Sequence, residues 1–263
     1  MSTTTLKMIA LCAMFIDHIG QFFPETPEWF NWIGRISAPI FIYCVVLGIK
    51  HTMNKKKYLI RLYLFSLSMA IVNMVLNQLF DYTHFYIWNN FFSSLFVVAV
   101  VVLLLDNFKA KNLFFFIIWQ LSTLVLCFVL VEKYEVLRLS DPSGTYYFLG
   151  SVFGNILFVE GTFLGVVLGA IFYLTLSNRI NLIILYTSFS LCFYMLHLKV
   201  NNYGNPVIHT YLFPFADYQW MMVFALPFLL LYNGNRGIGL KYIFYIFYPL
   251  HLVILYLLAV SRL

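Results

Sequence analysis

The stretch LKMIALCAMFIDHIGQFF, residues 6–23, is long and apolar enough to cross a bilayer, yet near its far end Asp17 and His18 stand side by side. A bilayer core about 30 Å thick needs roughly 20 apolar residues in a helix. Similar runs fill the rest of the chain, at about 29–49, 58–79, 89–105, 113–131, 158–176, 181–199, 219–232 and 242–261. The 263 residues are 62% hydrophobic and 10% charged, with mean hydropathy +0.87, far from the composition of a soluble domain. These runs do not alternate apolar and polar residues as barrel strands do. The expected fold is therefore an all-α polytopic membrane protein, a single bundle of nine or ten spans forming one domain over 1–263.

The count turns on YYFLGSVFGNILFVEG, residues 146–161, where Gly150, Gly154 and Gly161 interrupt an apolar run. It either crosses fully or re-enters, and a re-entrant backbone is stable only where protein covers it. No cleavable signal peptide is expected, because the first run is too long and carries charges. The four cysteines, Cys12, Cys44, Cys127 and Cys192, all lie in apolar runs and read as small buried hydrophobes rather than a disulfide set.

The net charge of +6 is spread over short loops, which argues against nucleic-acid binding. Basic residues mark cytoplasmic loops. The segment KHTMNKKKYLIR, residues 50–61, places Lys50, Lys55, Lys56, Lys57 and Arg61 on one side, and alternation adds Lys7, Lys109, Lys111, Arg179, Arg236 and Lys241. Most acids, with Lys133, Arg138, Lys199 and Arg262, fall on the other side. The expectation is a multi-pass protein of the cell membrane, surrounded by lipid, with a cytoplasmic amino terminus.

Ionisable groups inside spans are rare and are candidates for function. Here they are Asp17, His18, Arg35, Glu160 and His251. Lys7 and His18 lie eleven residues apart, about three turns plus 20°, so they share one helix face about 16–17 Å apart. A cation at the cytoplasmic mouth and an imidazole deep in the protein suit a ligand with a phosphate-bearing head and a long thin arm, such as coenzyme A. Neighbours on a helix point about 100° apart, so Asp17 is expected to pair with Arg35 rather than to orient His18. In KYIFYIFYPLHLVILY, residues 241–256, Tyr242, Tyr245, Tyr248 and His251 make a slowly rotating polar edge beside Pro249, which is expected to kink the helix. Tyr248 and His251 read as cavity lining, and Tyr242 as part of an interfacial belt. In IWNNFFSSL, residues 87–95, Asn89 and Asn90 either bind an acceptor or cap the helix. The histidines stand on separate helices or loops without ligand spacing, so no metal is implied.

Four segments together carry a resemblance: LKMIALCAMFIDHIG, IGRISAPIFIYCVVLGIKHTMNKKKYLIRLYLF, YNGNRG and KYIFYIFYPLHLVILY. The chain resembles the TraX family, named for the enzyme that acetylates the amino terminus of conjugative pilin, and related to the membrane acyltransferase-3 superfamily. The resemblance implies acetyl-CoA as co-substrate and His18 as catalytic base, with Lys7 as the cation of the basic-x10-His motif. It also implies roles for Arg35 and His251. Lys55, Lys56, Lys57, Arg61 and Arg236 are then candidates for the coenzyme A phosphates, the alternative being that they only set topology. Arg35 or Tyr248 would stabilise the oxyanion. Asn89, Asn90 and Glu160 would meet the acceptor, a peptide, pilin or glycan group on the outer face. Transfer is either direct or through an acetyl-histidine. Two other functions fit the same residues: O-acetylation of a cell-envelope glycan, and transport along the intramembrane charges.

Overall fold

The computed structural model describes residues 1–133, 142–203 and 216–262. Arg138, Glu135 and Asp141, used above to assign sides, lie outside them. The described residues are helical with no strand. In chain order the helices are α1 (Thr3–Phe22), α2 (Trp29–Gly34), α3 (Ser37–His51), α4 (Lys55–Leu79), α5 (Phe91–Asp106) and α6 (Ala110–Lys133). They continue with α7 (Pro142–Phe153), α8 (Thr162–Thr175), α9 (Arg179–Tyr203), α10 (Ala216–Gln219), α11 (Leu226–Leu230) and α12 (Lys241–Val260).

Five stretches are long and apolar enough to cross a membrane: Trp29–His51, Lys55–Leu79, Ala110–Lys133, Arg179–Leu198 and Tyr242–Val260. Phe91–Asp106, Phe163–Thr175 and Trp220–Leu230 are apolar but shorter. With α1, they reproduce the nine runs read from the sequence. The helix that opened the reading is itself absent from the five, because Asp17, His18 and Lys7 lower its hydropathy. The chain is an all-α polytopic membrane protein. The lipid-facing character is plainest on α6, where Leu113, Phe114, Phe115, Ile117, Leu121, Val125 and Phe128 are exposed. Lipid tails make that exposure favourable, where water would not. Cys12 and Cys192 are also exposed, unlike the buried Cys44 and Cys127; an apolar run has an outer face as well as an inner one.

Contacts gather in two units, one of Met1–Cys44 with Ile171–Leu255, the other of Val45–Ala170 with Tyr256–Leu263. In the first, α1 packs on α2 and buries Leu6, Ala10 and Met14 at helical spacing. The Ser2 hydroxyl caps α1 by accepting from Thr5 N–H. The first turn of α1 is also held by the loop that contains YNGNRG: Thr3 N–H donates to Asn235 O at 2.9 Å and Thr4 N–H to Arg236 O at 3.2 Å. Gly237 adopts a positive φ of 76° and lies so close to Ser2 that a Cβ there would overlap it.

In the second unit α4 packs on α5 and α7, and α6 on α7. Helix α7 has twelve residues, about 18 Å of length, too short to cross the bilayer. The chain then turns at Gly154, φ 65°. Protein covers the turn: Gln120 of α6 donates to Gly154 O at 3.1 Å and accepts from Ile156 N–H at 2.9 Å, while Asn155 donates to Thr123 Oγ1 and Gln120 O. The glycine-rich run therefore turns at Gly154 under cover of α6, as a re-entrant backbone would require.

Residues 85–90 are extended and run along α4. Asn77 grips them from both sides, accepting from Ile87 N–H at 2.8 Å and donating to Ile87 O at 2.9 Å. One turn earlier Asn73 donates to Asn89 O at 2.9 Å. Asn77 is fully buried. Asn77→Ala leaves two buried backbone groups without partners, at about 1–3 kcal/mol each. We expect about 2–5 kcal/mol of destabilisation, read as a lower midpoint in denaturant titration of the detergent-solubilised protein. Asn77→Asp keeps an acceptor for Ile87 N–H and is expected to lose less.

Candidate functional site

In the first unit two imidazoles face each other. His18 of α1 and His251 of α12 are each 4% exposed. His18 Nδ1 is 2.7 Å from His251 Nε2, with the rings nearly parallel at 11° and 5.0 Å between centroids. The other nitrogen of His251, Nδ1, is 2.6 Å from Phe247 O. A carbonyl only accepts, so His251 Nδ1 carries a hydrogen and, in the neutral ring, Nε2 is an acceptor. His18 Nδ1–H must then donate to it. The proton of His18 is thereby assigned to Nδ1, and Nε2 keeps its lone pair. His18 Nε2 has no hydrogen-bond partner among the described residues.

Pro249 stands between Phe247 and His251 inside α12. It supplies no N–H and loosens the turn that carries the His251–Phe247 contact. Aromatic rings close around the pair. Phe247 stacks on His251 at 4.8 Å and 21°, and Phe15 meets it edge-on at 5.8 Å. Tyr248, buried at 4%, meets both imidazoles edge-on, at 6.1 Å from His18 and 5.7 Å from His251. Tyr248 and His251 are buried, and Tyr242 is exposed.

Asp17 turns away from the imidazoles. Arg35 Nη2 donates to both of its carboxylate oxygens, at 2.7 and 3.0 Å, and Arg35 Nε donates to Asn31 O at 3.1 Å. The two side chains are only 18% and 12% exposed. Gly34 makes the approach possible, since a Cβ there would overlap the Asp17 side chain. The Gly-Arg pair thus works as one device, the glycine admitting the carboxylate that the arginine holds.

Lys7 Nζ lies 5.6 Å from the Phe244 ring centroid. Thr4 N–H and hydroxyl both bond to Arg236 O, at 3.2 and 3.0 Å. Arg236 is exposed and so stands about one turn from Lys7 along α1. One end of α1 therefore gathers two cations, while His18 lies near the other.

The remaining sequence candidates belong to the second unit. Lys55 Nζ pairs with Asp106 Oδ2 at 2.5 Å, and Lys50 reaches Oδ1 at 3.5 Å. Lys56 and Lys57 are exposed, and Arg61 lies 5.3 Å from the Tyr58 ring. Asn90 begins α5, but its side chain does not cap the helix. The Glu160 carboxylate accepts from the N–H of Asn90 itself at 2.6 Å, just ahead of the helix, and Ser94 Oγ donates to Glu160 O. An acid there suits the positive end of a helix. Asn89 contributes its carbonyl to Asn73.

Reading ionisable residues alone missed Asn73 and Asn77, whose amides lie on one face of α4. It also missed Phe15 and the Phe247 carbonyl. Phe247 stands four residues before His251, the spacing at which a helical side chain meets a backbone carbonyl, so that signal was in the sequence.

The family described as "TraX protein" matches residues 2–259 of the chain. A probable fimbrial assembly protein, FimC of serogroup H1 from Dichelobacter nodosus, is 35% identical over 68 residues, covering 24% of this chain and 28% of that protein. The chain thus spans well under half of the length of this curated relative. No solved structure matches.

Proposed function

From the premise that the chain belongs to the TraX family, we propose that it is an acetyl-CoA-dependent acetyltransferase of the cell membrane, acting on the terminal amine of a pilin or fimbrial subunit. The likeness to a fimbrial assembly protein supports that choice of acceptor over a glycan hydroxyl. The observation that carries the reading is the hydrogen-bonded pair His18–His251, which leaves one imidazole nitrogen with a lone pair in an aromatic enclosure. A transport path would use charges strung along the bundle. Asp17 and Arg35 instead neutralise each other.

The chemistry follows from that nitrogen. Acetyl-CoA enters from the cytoplasm, with its phosphates against Lys7 and Arg236 and its pantetheine arm along the α1 face toward His18. In the second unit Lys55 is occupied by Asp106. The amine nitrogen attacks the thioester carbonyl and its N–H proton passes to His18 Nε2. As the tetrahedral centre collapses, the C–S bond breaks. The thiolate takes the proton from Nε2, and the products are an amide and free coenzyme A. During the step the Nδ1–H of His18 is shared with His251 Nε2, so the pair spreads the positive charge. His251 is thus a positioning residue: it holds the His18 tautomer, and Phe247 O holds its own. Tyr248 lies at the edge of both rings and is the group for the oxyanion.

The test is the thermal stability of purified protein with acetyl-CoA, coenzyme A and ATP. A ligand at about 100 times its Kd adds roughly 2.7 kcal/mol to the folded state. Acetyl-CoA and coenzyme A are expected to stabilise, ATP little, and Lys7→Ala with Arg236→Ala to lose the response. Absence of any response to acetyl-CoA would remove the donor site and with it this function.

A further inference from the structure

The second unit contains a small cavity lined by Asn73, Asn90, Trp88, Tyr147, Phe148 and Ser151, with room for one or two water-sized groups. Two buried amide oxygens of its lining have no partner, Asn73 Oδ1 and Asn90 Oδ1. Their residues are 6% and 4% exposed. Neither amide can be turned round. Asn73 Nδ2 donates to Asn89 O at 2.9 Å. Asn90 Nδ2 donates to Ser66 O at 3.0 Å and to Ser151 Oγ at 2.9 Å. The Ser151 hydroxyl hydrogen is itself committed to Tyr147 O. Reversal would set an oxygen against a carbonyl oxygen at each residue.

The cavity therefore offers acceptors and asks for donors. Among the described residues its lining has no basic side chain, so nothing described there holds an anion. The indole of Trp88 forms part of the wall. The Glu160 carboxylate is bonded to the backbone N–H of Asn90, which brings a negative charge to a lining residue. Two buried amide oxygens without partners in one lining, and a carboxylate bonded to one of the same residues, suit a small cation with several N–H donors.

We propose that this cavity is a binding site for a protonated primary amine, the –NH3⁺ head of a lipid or of a peptide amino terminus. The site needs no acetyl donor and stands or falls independently of acetyl transfer.

The experiment follows thermal stability in phosphatidylcholine nanodiscs during titration with methylammonium chloride, against sodium chloride and tetramethylammonium chloride at equal ionic strength. Methylammonium is expected to stabilise saturably, by roughly 3–5 °C at about ten times half-saturation. Tetramethylammonium, which has no N–H, is expected to act as sodium does. Ala70→Val fills the cavity without touching a hydrogen bond, and is expected to abolish the methylammonium response while the protein stays folded. Nanodiscs containing phosphatidylethanolamine that stabilise the protein and suppress the response identify the lipid as the source. Stabilisation by alanine amide, but not by N-acetyl-alanine amide, identifies the peptide. Equal effects of all three salts, or an unchanged response in Ala70→Val, would overturn the proposal and leave a cavity that holds water only. Failure of acetyl-CoA to bind would not affect this result.

Discussion

His18→Ala is expected to reduce acetylation of a pilin amino-terminal peptide by about 10²–10⁴-fold, the range that a positioned general base contributes. Loss of the ring removes the nitrogen that takes the proton: His251 Nδ1 is engaged by Phe247 O, and its Nε2, though it keeps a lone pair, belongs to a ring centred 5.0 Å from that of His18. The protein should still insert and fold, because the deletion leaves a small space among aromatic rings rather than a buried charge. Mass spectrometry of the peptide reads the transfer, and size-exclusion elution with acetyl-CoA-induced stabilisation reads the fold. Acetylation at the unsubstituted rate, at matched protein amount, would take His18 out of the mechanism. His251→Ala should keep Nε2 of His18 but free its tautomer, giving a smaller loss concentrated in kcat rather than KM.

Arg35→Met is expected to cost about 3–5 kcal/mol of stability, since breaking a buried ion pair from one side strands the other charge. Asp17 is left 18% exposed, against a glycine backbone, with no second cation on its oxygens among the described residues. The double substitution Asp17→Asn with Arg35→Met should recover much of that loss, because no charge then remains buried. Denaturant midpoints of the two variants separate this from a role in chemistry. If the double variant is no more stable than the single one, the pair does not act through mutual neutralisation. Its activity relative to its stability then shows whether Arg35 also serves the transition state.

The spans were legible because the bilayer imposes a length and an apolarity that few other structures share. The Asp17–Arg35 pair was also legible, from the angle between neighbours on a helix. The union of His18 with His251 was not. Both residues stood out as ionisable groups in apolar helices, but a contact between positions 233 residues apart depends on packing that no local pattern carries. The capture of Lys55 by Asp106 escaped for the same reason. Asn73 and Asn77 escaped because attention went to charges. An uncharged amide in a long apolar helix leaves the hydropathy of α4 high, yet in the absence of water it is as demanding of a partner as many charged groups. Residues 146–161 stayed ambiguous because the apolar run continues through the turn, which only the structure locates, after the twelve residues of α7.

The amide face of α4 bears on how the chain is made. Ile87 and Asn89 have backbone groups whose partners are side chains of Asn77 and Asn73. A segment of that kind cannot leave the aqueous insertion channel alone, since its polar backbone would meet lipid without a partner. Helix α4 is synthesised first and can wait beside the channel with its amides already turned inward. The partners that Ile87 and Asn89 need thus stand earlier in the chain than the backbone groups that use them.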